Sequence, residues 1–170
     1  FKALQLTKEG LGGRVPLIGF SGAPWTLLAY MVEGSGSKTF SKAKRFLYSE
    51  PELAHQLLGK ITNTIIAYLK LKCANGADVV QIFDSWAGIL SPQQDEEFSL
   101  PYISKICEAL HEVPKIVFAK GAWFALEKLG DLNCEALGLD WNTDPSLARN
   151  LVGNLKVLQG NLDPCYLYCL

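Results

Sequence analysis

The sequence predicts an α/β fold built on a parallel sheet, and three observations carry that prediction. Five short apolar runs alternate with longer helix-like segments over the 170 residues. Several runs are nearly continuous in Val, Ile, Leu and Phe, as strands buried on both faces of a parallel sheet are. Glycines and polar residues gather directly after each run, at the end where parallel α/β architectures place their ligands.

The first strand is expected at 16–20 (PLIGF), followed by Ser21-Gly22 and a helix over 23–32. Pro24 falls in the first turn of that helix, where a missing N–H loses no hydrogen bond. Helices over 37–48 and 51–75 fill the rest of the first gap. The longer one is amphipathic through Leu53, Leu57, Leu58, Ile61, Ile65, Tyr68 and Leu69, starts at Pro51-Glu52 and stops at NGAD. The second strand, 78–83 (DVVQIF), leads into Asp84-Ser85-Trp86-Ala87-Gly88 and a helix over 93–112. The third, Lys115–Ala119 (KIVFA), is followed by Lys120-Gly121 and a helix over 123–129. The fourth, 136–139 (ALGL), precedes Asp140-Trp141-Asn142 and a helix at Pro145–Val152 capped by Asp144. The fifth, 156–159 (KVLQ), ends at Gly160-Asn161-Leu162-Asp163. Such alternation implies βα units joined by right-handed crossovers. No linker, internal repeat or low-complexity stretch divides the chain, so residues 1–170 form one domain or a contiguous part of one.

Hydrophobic residues make up 49%, charged residues 19%, and the formal net charge is −1. That balance suits a packed core and gives no electrostatic basis for nucleic acid or anionic membrane partners. Residues 15–32 form an uncharged run of 18. It falls short of the ~20 apolar residues of a membrane span, and Gly19, Ser21, Gly22, Pro24 and Thr26 interrupt it. A buried strand turning into a helix accounts for it better. The five cysteines are odd in number and contain no CxxC, which points to buried thiols in a reducing compartment. Cys165 and Cys169 lie four apart, but His55 and His111 are too remote to complete a zinc set, so no metal is expected. The opening FKALQLTKEGLGGR has no secretory h-region, and both ends look cut rather than finished.

The run GSGSKT in residues 34–39 invites comparison with a phosphate loop, but no glycine precedes Lys38 directly and a helix separates it from the strand. A loop near a site fits better. On the helix over 23–32, Trp25, Leu28, Ala29 and Val32 form the core stripe, and Tyr30 lies about 140° from Trp25, on the face of Thr26. There it is either a half-buried surface tyrosine or a donor to an anionic ligand. Of Asp84 and Ser85, strand alternation turns only one toward the strand axis. No histidine lies in a strand-end loop and no G-x-S-x-G occurs, so FDSWAG reads as a binding element rather than a nucleophile. His55 and His111 read as surface histidines on helices.

The segment GFSGAPWTLLAYMVEG (19–34) resembles a signature of uroporphyrinogen decarboxylases, residue type for residue type. The likeness continues through AKRFLYSEPELAHQLL, GADVVQIFDSWAGILSP, LPYI, VFAKGAWFALEKL, GLDWNTDP and LQGNLDP, in order, across essentially all 170 residues. This resemblance implies a (β/α)8 (TIM) barrel, of which the chain is the central part with about five of the eight βα units. It implies a cytoplasmic homodimer of porphyrin biosynthesis that converts uroporphyrinogen III to coproporphyrinogen III. No metal or organic cofactor is implied, because a pyrrole protonated on a ring carbon can itself accept electrons.

Carried over residue by residue, the resemblance makes Tyr30 and Ser85 hydrogen-bonding contacts to substrate, and Phe20 and Phe83 apolar walls for the macrocycle. It assigns no catalytic residue here. The family's arginine-rich motif and its aspartate fall before Phe1 and its histidine loop after Leu170, and Asp84, Asp140 and Asp163 do not fill those roles. An unclosed barrel leaves an exposed sheet edge, so the 170-residue chain alone is expected to be inactive and aggregation-prone. Two alternatives stand. One is a corrinoid- or thiol-dependent methyltransferase of the same superfamily, although Phe118-Ala119-Lys120 lacks that group's His-x-Cys zinc ligands. The other is a non-catalytic tetrapyrrole-binding protein.

Overall fold

The computed structural model describes residues 1–169. Five strands form one sheet in the order β1 (Ile18–Gly22), β2 (Val79–Asp84), β3 (Lys115–Ala119), β4 (Ala136–Gly138) and β5 (Val157–Gln159). Every neighbouring pair is parallel. Sequential order without reversal is the signature of a barrel wall; a doubly wound sheet would reverse direction at a switch point. Right-handed crossovers then place all the helices on one side.

The described residues form eight α-helices, α1 (Lys2–Leu11), α2 (Pro24–Glu33), α3 (Ser41–Ser49), α4 (Pro51–Ala74), α5 (Pro92–Phe98), α6 (Leu100–Ala109), α7 (Leu126–Gly130) and α8 (Pro145–Val152). Their starts follow from local chemistry. Proline occupies the first turn of α2, α4, α5, α6 and α8, where its missing N–H is harmless. Ser91 and Gln94 form a reciprocal capping box on α5, and the Asp144 carboxylate accepts from the Ser146 and Leu147 amides on α8. Gly34, at φ 83°, ends α2.

Several boundaries differ from the sequence expectation: the helix expected over 37–48 begins only at Ser41, and the one expected over 123–129 is a 3-10 turn at Trp123–Ala125 followed by α7. β1 begins two residues late and includes Ser21 and Gly22, which pair in register with Ile82 and Phe83. The expected helix over 93–112 breaks at Ser99, because Pro101 cannot donate to the carbonyl four residues back and instead opens α6. That helix ends at Ala109, so His111 stands exposed in a turn rather than on a helix. Helix α1 has no counterpart among the expected elements. It buries no residue, and is held by Lys8 on Asp78 at 2.6 Å, Gln5 on Asn75 at 2.8 Å and Phe1 against Tyr68.

The core lies between the sheet and the helices, where Trp25, Leu28, Leu58, Leu69, Ile82 and Ile103 are at most 1% exposed. Along β2, Val80, Ile82 and Asp84 are buried on this side, while Val79, Gln81 and Phe83 face the other way. Among the described residues no layer covers that second face, and Ile18, Phe20 and Val157 are exposed. All five cysteines are free; burial raises the thiol pKa of Cys73 and Cys134 and pushes that of Cys107 up to about 12, which keeps all three protonated. Among the described residues, no helix is long and apolar enough to cross a membrane.

Candidate functional site

The carboxyl ends of β1 to β4 converge on one rim of the sheet, and two buried aspartates tie their loops together. Asp84, the last residue of β2, is wholly buried on the helix side. Its carboxylate accepts from the Thr26 hydroxyl of α2 and from the Ser99 hydroxyl before α6, both at 2.6 Å. Burial raises the Asp84 pKa against the opposing pull of Ser99, Thr26 and the Trp86 amide. Nearby Asp95 is pushed up to about 7, first by burial and then by the Asp84 charge. Asp140, after β4, accepts from the Gly121 amide at 2.5 Å, the Asn142 amide at 2.9 Å and the Thr143 hydroxyl at 3.2 Å. The Asn161 side chain, after β5, donates to the Asp140 and Thr143 carbonyls. Both carboxylates are thus occupied in holding loops.

With Asp84 turned to the helices, Ser85 follows it in the partly exposed loop above Phe83. Phe83 belongs to a row of aromatic rings on the uncovered face. Phe20 and Phe118 each meet it edge-on, with ring centroids 5.8 Å apart. Phe118 extends the expected pair Phe20 and Phe83 by one strand. Its signal was in the sequence, as the inward alternate of KIVFA two residues before Lys120. Gly138 makes room for it, since a Cβ there would stand 2.8 Å from the Phe118 ring. Phe20 lies where this face meets the free edge of β1, 56% exposed, with the Lys72 ammonium over its ring at 4.6 Å.

Tyr30 stands in the last turn of α2, 41% exposed and off the buried stripe of Trp25, Leu28 and Ala29. Its ring packs edge-on against Phe40 at 5.6 Å and Trp86 at 6.3 Å. Trp86 follows Ser85 directly and lies 4.6 Å from Phe40. The Trp25 indole donates to the Trp86 carbonyl at 3.1 Å. An aromatic bracket therefore fixes Tyr30 relative to the Ser85 loop. Phe40 and Trp86 were missed because their partners are remote in sequence.

The GSGSKT segment is a capped helix entrance. Glu33 accepts from the Lys42 and Ala43 amides at 3.1 and 3.3 Å, and the Ser37 hydroxyl accepts from the Phe40 amide at 3.0 Å. A side-chain carboxylate thus sits where a phosphate loop would hold its anion. At the end of β3 stand Ala119, Lys120 and Gly121, and the described residues hold no group of three His, Cys, Asp or Glu placed for a metal ion. His55 is not simply a surface residue. Its Nδ1 lies 2.6 Å from the Tyr102 hydroxyl and its ring stacks on Phe98.

The fold agrees with what comparison to known proteins gives. The family model for uroporphyrinogen decarboxylase (URO-D) matches residues 1–170. The chain belongs to the uroporphyrinogen decarboxylase family. Among named relatives, the uroporphyrinogen decarboxylase of Christiangramia forsetii is 54% identical over 169 residues, covering 99% of this chain and 50% of the relative. Those of Schizosaccharomyces pombe and Homo sapiens are 51% and 49% identical, covering 98% and 99% of this chain and 49% and 48% of the relatives. The chain therefore spans about half the length of the curated relatives it matches. A solved methyltransferase from Methanosarcina mazei superposes with a TM-score of 0.79, covering 94% of this chain and 47% of that one. At 19% identity it supports the fold alone.

Proposed function

We propose that this chain is the central part of a uroporphyrinogen decarboxylase, which removes the four acetate carboxylates of uroporphyrinogen III to give coproporphyrinogen III. The observation that carries this is the family match over the whole chain, at about half identity to named decarboxylases. The geometry supports it: an apolar ring of the substrate can rest on the row Phe20, Phe83 and Phe118, Ser85 follows directly after the strand of Phe83, and Tyr30 is braced to the Ser85 loop through Trp86. In each cycle a pyrrole ring carbon takes a proton and the pair from the breaking C–CO2 bond flows into the ring cation. Carbon dioxide leaves, the exocyclic carbon takes a proton to become a methyl, and the ring carbon gives its proton back. The substrate serves as its own electron sink, so the protein's task is to orient carboxylates and stabilise the cation. The proton donor lies outside these 170 residues in this proposal. A homodimer in the cytoplasm, free of metal, organic cofactor and nucleic acid, completes it.

The test uses the full-length protein that carries this segment, supplied anaerobically with uroporphyrinogen III. Sequential loss of carboxylates is expected, with Tyr30→Phe and Ser85→Ala each lowering kcat/KM by about tenfold or more, as loss of a hydrogen bond to a charged group does. Wild-type rates in both variants would sink the site assignment. Tight tetrapyrrole binding with no carbon dioxide released would favour the non-catalytic binder.

A further inference from the structure

We propose that Lys120 is a substrate-binding residue that holds a carboxylate of the tetrapyrrole, as the cationic partner of Ser85 on the rim; this rests on the function proposed above. The main chain of Lys120 is clamped on both sides of Ser85. Its amide donates to the Asp84 carbonyl at 3.0 Å, and its carbonyl accepts from the Gly88 amide at 2.9 Å. Gly88 and Gly121 close the joint, since a Cβ at Gly88 would stand 2.8 Å from the Gly121 Cα. The strand register pairs Phe83 with Phe118 and Asp84 with Ala119. One step further along β2 and β3, Ser85 and Lys120 occupy the next rung, directly beyond two rings of the aromatic row.

The charge of Lys120 is uncommitted. It forms no ion pair among the described residues, and the rim carboxylates of Asp84 and Asp140 are taken by Thr26 and Ser99 and by Gly121, Asn142 and Thr143. Its ammonium lies 4.9 Å from the centre of the Trp141 ring. An aromatic face steadies an ammonium without using its N–H donors, which stay free for an anion. A polycarboxylate whose ring body rests on Phe83 and Phe118 brings an acid group to this height. Among the described residues, no Lys or Arg other than Lys120 directly follows one of the five strands.

The experiment compares Lys120→Ala and Lys120→Arg with wild type in the full-length protein, reading kcat, KM for uroporphyrinogen III, and the melting temperature. Lys120→Ala is expected to raise KM about tenfold or more with kcat little changed, because a bond made equally to bound substrate and transition state acts on KM alone. Lys120→Arg should return KM to within about threefold of wild type, and both variants should melt within about 2 °C of it, as surface substitutions do. An unchanged KM in Lys120→Ala would overturn the assignment. So would a raised KM that arginine does not restore and a lowered melting temperature accompanies, since that pattern marks a structural role. A wild-type protein that neither binds nor converts the tetrapyrrole would instead remove the function itself, and this contact with it.

Discussion

The two faces of the sheet are built to opposite rules. Toward the helices, Val80 and Ile82 are fully buried, and even the polar Asp84 meets a hydroxyl on each oxygen. Toward the other side, Phe20 stands 56% exposed beside Phe83 and Phe118, on a surface with no second layer. Such aromatic exposure is unusual on a finished surface, which keeps large contiguous apolar patches for binding. The difference teaches that one face makes the fold, while the other, with its aromatic row uncovered, is the face the proposed substrate and the rest of a barrel would cover.

The largest expected effect separates the faces directly. Ile82→Ala should cost about 2–5 kcal/mol of unfolding free energy wherever it is measured, because the cavity opens in a filled core. In the full-length protein that carries this segment, Phe20→Ala should cost about 3–5 kcal/mol where the barrel closes over it, against about 0.5 kcal/mol for a site that stays exposed. Urea unfolding of both variants in that protein makes the comparison. A Phe20→Ala loss near about 0.5 kcal/mol would show that the open face is not a barrel interior.

A second effect tests the buried acids of the helix side. The native pKa of Asp95 lies above that of an unfolded carboxyl, so its contribution is fully present below about pH 4 and is lost as pH rises through about 7. Asp95→Asn removes that loss. Its stability relative to wild type should therefore climb between about pH 4 and 7 and level off above, in denaturation midpoints taken across that range. A difference that stays flat with pH would show that folding does not raise the Asp95 pKa. The smallest effect belongs to the entrance of α3. Glu33→Ala frees the Lys42 and Ala43 amides and should cost about 1 kcal/mol, read as a fall of a few degrees in melting temperature.

The sequence made the helix-covered side legible and the open side only partly so. Continuous apolar runs located all five strands, and proline with its flanking caps located most helix starts, because both signals are local. The single helix expected over 93–112 failed at Ser99 because apolar spacing continues through a break that only Pro101 reveals. Helix α1 stayed hidden because it buries nothing, so its pattern carries no core stripe. At the site, Tyr30, Ser85, Phe20 and Phe83 were named from strand ends and from resemblance, and the fold brings Phe20 against Phe83 and braces Tyr30 through Trp86. The bracket of Phe40 and Trp86 was invisible, since 46 residues separate partners that meet at 4.6 Å. The histidine at 55 read as solvent-facing because its partner Tyr102 lies on another helix.

The joint of Gly88 and Gly121 also limits how this architecture can change. A methyl at Gly88 would drive one backbone off the other, and a side chain at Gly121 would meet the Gly88 Cα at 3.2 Å on a backbone at φ 73° that side chains rarely adopt. Remodelling of specificity therefore has more room at Trp86 and Trp141 beside the joint than at Gly88 itself.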